Sequence, residues 1–227
     1  MKTLVVIGHP ELADSETQPF LKQVGKDWAT FHELEAPFDI ATEQQLIWQA
    51  ERLILQFPLY WYSVPALMKQ WLDEVFDEEL LGPQHDRLVK KELGIVVSLG
   101  RPIREFQSGQ RQAFTIDEYL RPLQGLALAT KMKWLSPLVV SQFAYQSDTA
   151  RQKLAVAYQQ YLSLPQPVRF KDRVAWLTRQ LATMQTNTKD TIAQQELQQL
   201  AALLSMKQEQ LDDLNDNLRL VRETEGY

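Results

Sequence analysis

The chain has 227 residues, 44% of them hydrophobic and 23% charged, enough for one α/β domain with a substantial core and an appendage. Its formal net charge of −5 argues against general nucleic-acid affinity, which needs a basic face. The absence of cysteine excludes disulfides, thiolate metal sites and a thiol nucleophile, and fits a reducing compartment.

Met1-Lys2 leads straight into Thr3-Leu4-Val5-Val6-Ile7-Gly8, a β-branched run that predicts a buried first strand. The run is too short for a signal-peptide core, and no segment approaches membrane-spanning length. A cytoplasmic chain is expected. After a loop from Gly8 to Ser15, Phe20, Leu21, Val24 and Trp28 recur at helical spacing. Thr30–Leu34 reads as a short second strand, Ile40–Gln49 as a helix and Arg52–Phe57 as a third strand. An aromatic loop, Pro58 to Ser63, precedes a helix over Val64–Phe76. Glu92–Leu99 predicts a fourth strand, Ile116–Ala129 a helix, Trp134–Val140 a fifth strand and Thr149–Leu162 a helix.

Strands alternating with helices indicate a parallel sheet covered on both faces. Five such units fit an α/β, flavodoxin-like, doubly wound five-stranded parallel sheet over residues 1–164. In that fold ligands sit over the carboxyl ends of the central strands. The loops Gly8–Ser15, Pro58–Ser63 and Ser98–Phe106 are expected to converge there. Residues 165–227 contain no strand-like run, and their leucine spacing predicts a C-terminal helical extension, a hairpin turning near Thr186-Asn187-Thr188. The acidic residues near the end (Asp212, Asp213, Asp216, Glu223 and Glu225) read as a solvated face.

Each loop carries candidate chemistry. His9 and Ser15 lie between a strand and a helix start, where free N–H groups and the helix dipole favour phosphate; Ser15 equally reads as a plain helix cap. Tyr60, Trp61 and Tyr62 follow a proline at a strand end, placed to hold a flat ligand or to cover a subunit interface. Ser98, Leu99, Gly100 and Arg101 offer a hydroxyl, an unhindered backbone position and a cation. Arg101 and Arg104 read either as cations for a nicotinamide-cofactor phosphate or as surface residues. His9, His32 and His85 show no metal-ligand spacing, and no metal is expected. There is no phosphate-loop motif, no GxGxxG and no GxSxG.

Together the loops resemble those of the flavodoxin-like NAD(P)H:quinone oxidoreductases, a family that includes the ancillary proteins of glutathione-gated potassium efflux. The resemblance runs from about Met1 to Leu164. It is most specific at Pro58-Leu59-Tyr60-Trp61-Tyr62-Ser63-Val64-Pro65, continuing through Leu67, Lys69, Trp71, Asp73 and Val75-Phe76, against a family pattern close to HPxxWYSxPxxLKxWxDxVF. Gly8-His9-Pro10 with Ser15 resembles the flavin-phosphate loop, and Gln18 stands for a family asparagine. The resemblance implies that His9, Ser15 and Gln18 contact the flavin phosphate region. It places Pro58, Leu59, Tyr60, Trp61 and Tyr62 along the ribityl chain and ring edge, and Ser98 to Arg101 along the ring. It implies bound FMN, with FAD as the alternative, NAD(P)H as co-substrate, a quinone-like acceptor and a homodimer. Ser-Leu-Gly-Arg replaces the family's Thr-Thr-Gly-Gly, and Phe106 and Gln112 stand where quinone reductases carry a proton-relaying tyrosine and histidine. A regulatory subunit binding a membrane transporter, with weak or no reductase activity, is therefore the second expectation, and a scaffold that has lost its pocket the third.

Overall fold

The computed structural model describes residues 1–82, 87–188 and 190–225; His85 lies outside them. The chain divides into two compact units, Met1–Pro167 and Val168–Tyr227.

In the first unit the elements run β1 (Thr3–Ile7), α1 (Thr17–Gly25), β2 (Thr30–Glu33), α2 (Ile40–Gln49), β3 (Arg52–Pro58), α3 (Ala66–Val75) and α4 (Glu78–Leu81). They continue with β4 (Glu92–Leu99), α5 (Ile116–Tyr119), α6 (Arg121–Ala129), β5 (Lys133–Trp134), β6 (Leu138–Ser141) and α7 (Asp148–Ser163). The sheet is parallel throughout, in the order β2-β1-β3-β4-β5, with β6 also on β4. This is the flavodoxin-like order expected from the alternation of strands and helices.

Both faces are covered: every position of β1 and β3 is buried, and their polar side chains, Thr3, Arg52 and Gln56, are hydrogen-bonded. Side chains alternate across the pleat. Leu4, Val6, Leu53 and Leu55 pack with Met68, Trp71 and Val75 of α3, while Val5, Ile7 and Ile54 pack with Leu21 of α1 and Tyr158 and Tyr161 of α7. Gly94 makes the second layer possible: a Cβ there would stand 2.6 Å from the Tyr161 hydroxyl.

Two expected elements are divided. The predicted fifth strand, Trp134–Val140, is β5 and β6, which pair with different ends of β4. Pro137 lies between them, and proline cannot donate to a ladder. The predicted helix Ile116–Ala129 is α5 and α6, with Pro122 in the first turn of α6, where its missing N–H costs nothing.

The second unit is a pair of helices in mutual contact, α8 (Phe170–Asn187) and α9 (Thr191–Glu225). No helix among the described residues is long and apolar enough to cross a membrane.

Candidate functional site

Register brings three strand ends to one edge. Ile7 pairs with Gln56, and Pro58 with Ser98. Two backbone bonds extend the ladder into the loops, from Gly8 N–H to the Gln56 carbonyl at 3.0 Å and from Leu59 N–H to the Ser98 carbonyl at 2.9 Å. A Cβ on Gly8 would lie 2.7 Å from the Met68 side chain, so glycine lets α3 sit tightly behind the edge.

A cleft of about 370 Å³ opens here, lined by His9, Ser15, Pro58, Leu59, Tyr60, Ser98, Leu99 and Gly100. A second lobe of about 320 Å³ is lined by Trp61, Tyr62, Arg101, Phe106, Arg111 and Gln112 and shares Leu59, Leu99 and Gly100 with the first. Eleven of the twelve residues that the resemblance assigns to the flavin therefore border one continuous depression, while Arg104 lines neither lobe.

Gln18 is the exception. It is buried and lines neither lobe. Its carboxamide sits in a polar chain beneath the sheet edge. Tyr158 Oη donates to Gln56 Oε1 at 2.6 Å, Gln56 Nε2 donates to Gln18 Oε1 at 2.7 Å, and Gln18 Nε2 reaches Ser98 Oγ at 3.5 Å. Gln18 thus supports Ser98 from behind.

The first lobe gathers hydrogen-bond donors. Ser15, Glu16 and Thr17 line it at the start of α1, where the Thr17 N–H has no intrahelical acceptor, the Gln18 N–H is capped by Ser15 and Pro19 has no N–H. Ser15 Oγ accepts the Gln18 N–H at 3.1 Å, so the hydroxyl keeps its own proton for a ligand. His9 Nδ1 accepts the Glu11 N–H at 3.2 Å, which leaves Nε2–H as the donor in the neutral ring. Burial lowers the His9 pKa, against smaller raising effects of the Glu11 hydrogen bond and of Asp14 and Glu11. Asp14 and Glu16 line the same lobe, and no lysine or arginine does, so its donors are N–H groups, hydroxyls and the imidazole.

The aromatic loop is strained. Tyr60 and Ser63 exchange two backbone hydrogen bonds of 3.0 Å, closing a two-residue turn. Its central residues, Trp61 at φ 45° and Tyr62 at φ 67°, lie in the left-handed region, where such turns favour asparagine and glycine. Tyr62 stacks on Tyr119 with centroids 5.1 Å apart and planes 20° from parallel. Trp61 stays 91% exposed beside it. Bulky residues held in this conformation, one of them almost wholly in solvent, cost free energy that the rest of the fold must offset.

Gly100 has nothing within 4 Å of a notional Cβ, so its backbone faces open space in the cleft. The Arg101 carbonyl accepts from Ser141 Oγ at 3.0 Å, and that oxygen accepts the Ile103 N–H at 3.1 Å, which fixes the loop. Tyr119, Arg111 and the Gln142–Tyr145 segment were not singled out in the sequence, yet they border or support the cleft. Their only sequence signal was position after the fourth and fifth strands. Among the described residues no group of histidine and acidic side chains could hold a metal.

A family profile described as a flavodoxin-like fold matches residues 1–164. The chain belongs to the flavodoxin-like family. Its flavodoxin-like domain is similar to an NADPH-quinone reductase structure from P. pentosaceus. Identity is 47%, coverage 73% of this chain and 99% of that one, and the TM-score 0.71. It is also similar to general stress protein 14 of Treponema denticola, solved in complex with FMN. There identity is 30%, coverage 71% and 98%, and the TM-score 0.64. The potassium-efflux ancillary protein KefG of Enterobacter sp. (strain 638) is 32% identical over 174 residues, 73% of this chain and 95% of that protein. The family expected from the loop motifs is thus the family found.

Proposed function

We propose that the chain is a flavin-dependent NAD(P)H:quinone oxidoreductase that binds FMN in the two-lobed cleft. The observation that carries this reading is the junction at Leu59, Leu99 and Gly100 of a lobe rich in hydrogen-bond donors with an aromatic, cationic one. FMN is preferred to FAD because the lobes match a phosphate end and a ring end, and the Treponema denticola relative was solved with FMN.

A bound flavin would supply the hydride-carrying ring that no side chain offers. The protein's part is to bind, orient and exclude water. Ser15, His9 Nε2–H and the start of α1 would hold the phosphate. Leu59 and Leu99 would shield the ring's apolar edge, and Gly100 would let the backbone approach it. Trp61 and Tyr62 would flank the ring or the flat substrate beside it. Arg101 and Arg111 would draw the anionic nicotinamide cofactor to the second lobe. Phe106 and Gln112, which line that lobe, cannot relay a proton, so turnover would take its protons from solvent.

The KefG relative favours a second reading, a cytoplasmic ancillary subunit bound to a membrane transporter with weak reductase activity. An anaerobic absorbance titration separates the two. Flavin bands that survive desalting and bleach on adding NADPH support the reductase. Retained flavin that bleaches only slowly, with co-purification of a transporter, supports the ancillary subunit. A protein that takes up no FMN overturns the cleft assignment.

A further inference from the structure

α8 has 18 residues and α9 has 35, so an equal length of α8 opposes α9 only to about residue 208. The side chains agree. Half-buried positions recur at Ala193, Leu197, Ala201, Leu204 and Gln208, and from Glu209 to Val221 every described side chain is exposed. Leu211, Leu214 and Leu218 are 39%, 57% and 56% exposed, and Leu200 and Leu203 continue the same stripe back along the helix. A helix end about half the length of α9 is marginal in water without tertiary packing, and contiguous apolar stripes of this kind mark contact surfaces.

We infer that the far half of α9 docks on the far half of α9 in a second copy of this chain. Leu204, Leu211 and Leu218 repeat every seven residues, and Lys207, Leu214 and Val221 lie three residues after them in turn, so Lys207 alone interrupts the apolar series. This is the apolar repeat of a two-helix seam. Gln208, Gln210, Asn215 and Asn217 flank the seam. Each amide both donates and accepts, so identical flanks satisfy one another without like charges meeting. A heterologous partner selected by charge would leave charged residues at these flanks. The acids Glu209, Asp212, Asp213 and Asp216 fall on the outer positions, which turns an anionic lipid surface away. A two-fold pairing also uses the same patch on both copies, as closed dimers do. The assignment is independent of the flavin reading, since no cleft residue takes part.

The test compares the full-length chain with the L211K/L214K/L218K variant by light scattering and by amide exchange over 209–225. Lysine and leucine have nearly equal helix propensity, so an isolated helix end would exchange alike in both. Where α9 is the sole contact, or joins dimers already formed by the flavodoxin-like domains, the docked pair predicts half the mass in the variant. If both contacts lie within one dimer, the mass holds and protection over 209–225 falls about tenfold or more; either loss supports the pairing. Equal masses with equal exchange overturn it. Equal masses with wild-type cosedimentation on phosphatidylserine vesicles, lost in the variant, also overturn it, in favour of a membrane surface.

Discussion

Trp61 combines an exposed ring with a backbone conformation that aromatic residues avoid. Trp61→Asn relaxes the turn, because asparagine tolerates positive φ. It should raise stability by about 1 kcal/mol while weakening FMN binding about tenfold through lost stacking. Thermal melts and flavin-fluorescence titrations would read the two opposite signs; unchanged FMN affinity would remove Trp61 from the site. At His9 the contrast is between ligands. His9→Ala should weaken FMN about tenfold, the worth of a hydrogen bond to a charged group, and leave riboflavin, which lacks the phosphate, unchanged. Equal losses for both ligands would mean that His9 serves packing. Because burial lowers the His9 pKa from 6.5, the unfolded chain takes up this proton first as pH falls. His9 therefore subtracts stability from the free protein below about pH 6.5 and through its lowered folded value. A bound phosphate reverses that sign by pairing with the imidazolium, so FMN affinity should rise over the same window.

Among the elements, β3 carries the largest buried cation. Arg52 is fully buried at its start. Its Nε donates to Glu92 Oε2 of β4 at 2.7 Å, Nη2 donates to the Leu164 carbonyl at 2.8 Å, and Nη1 donates to the Tyr161 carbonyl. One guanidinium thus ties two strands to the end of α7, at the sheet edge opposite the cleft. Arg52→Ala would leave the Tyr161 and Leu164 carbonyls unpaired and Glu92 with Lys133 alone, at a cost of about 2–5 kcal/mol. Urea denaturation would measure this, and a loss under 1 kcal/mol would mean that water replaces the guanidinium. Sequence spacing placed β3 correctly but gave no sign of this anchor, because Glu92, Tyr161 and Leu164 are distant in sequence.

For the whole molecule, the division at Pro167 and the family match over residues 1–164 set the flavodoxin-like domain apart from the α8–α9 pair. Removing 168–227 should leave a folded domain that binds FMN with affinity within about threefold of the full chain, since the described residues that line the cleft all lie within Met1–Pro167. Circular dichroism and the same fluorescence titration check this; a truncated chain that does not fold would make the helices part of the domain's core.

Strand runs such as Thr3–Ile7, the 3.6-residue spacing in Val64–Phe76 and the Pro58–Pro65 motif determined the sheet, the order of its elements and the edge where the loops meet. These signals are local, because each residue's neighbours along the chain set its periodicity and turn chemistry. Only tertiary structure decided that Gln18 turns inward to Gln56 and Ser98, that Tyr119 braces Tyr62, and that Arg111 joins Arg101 in the second lobe. Those choices depend on which side chains meet across β1, β3 and β4, and on hydrogen bonds that a buried amide must complete wherever the fold offers a partner.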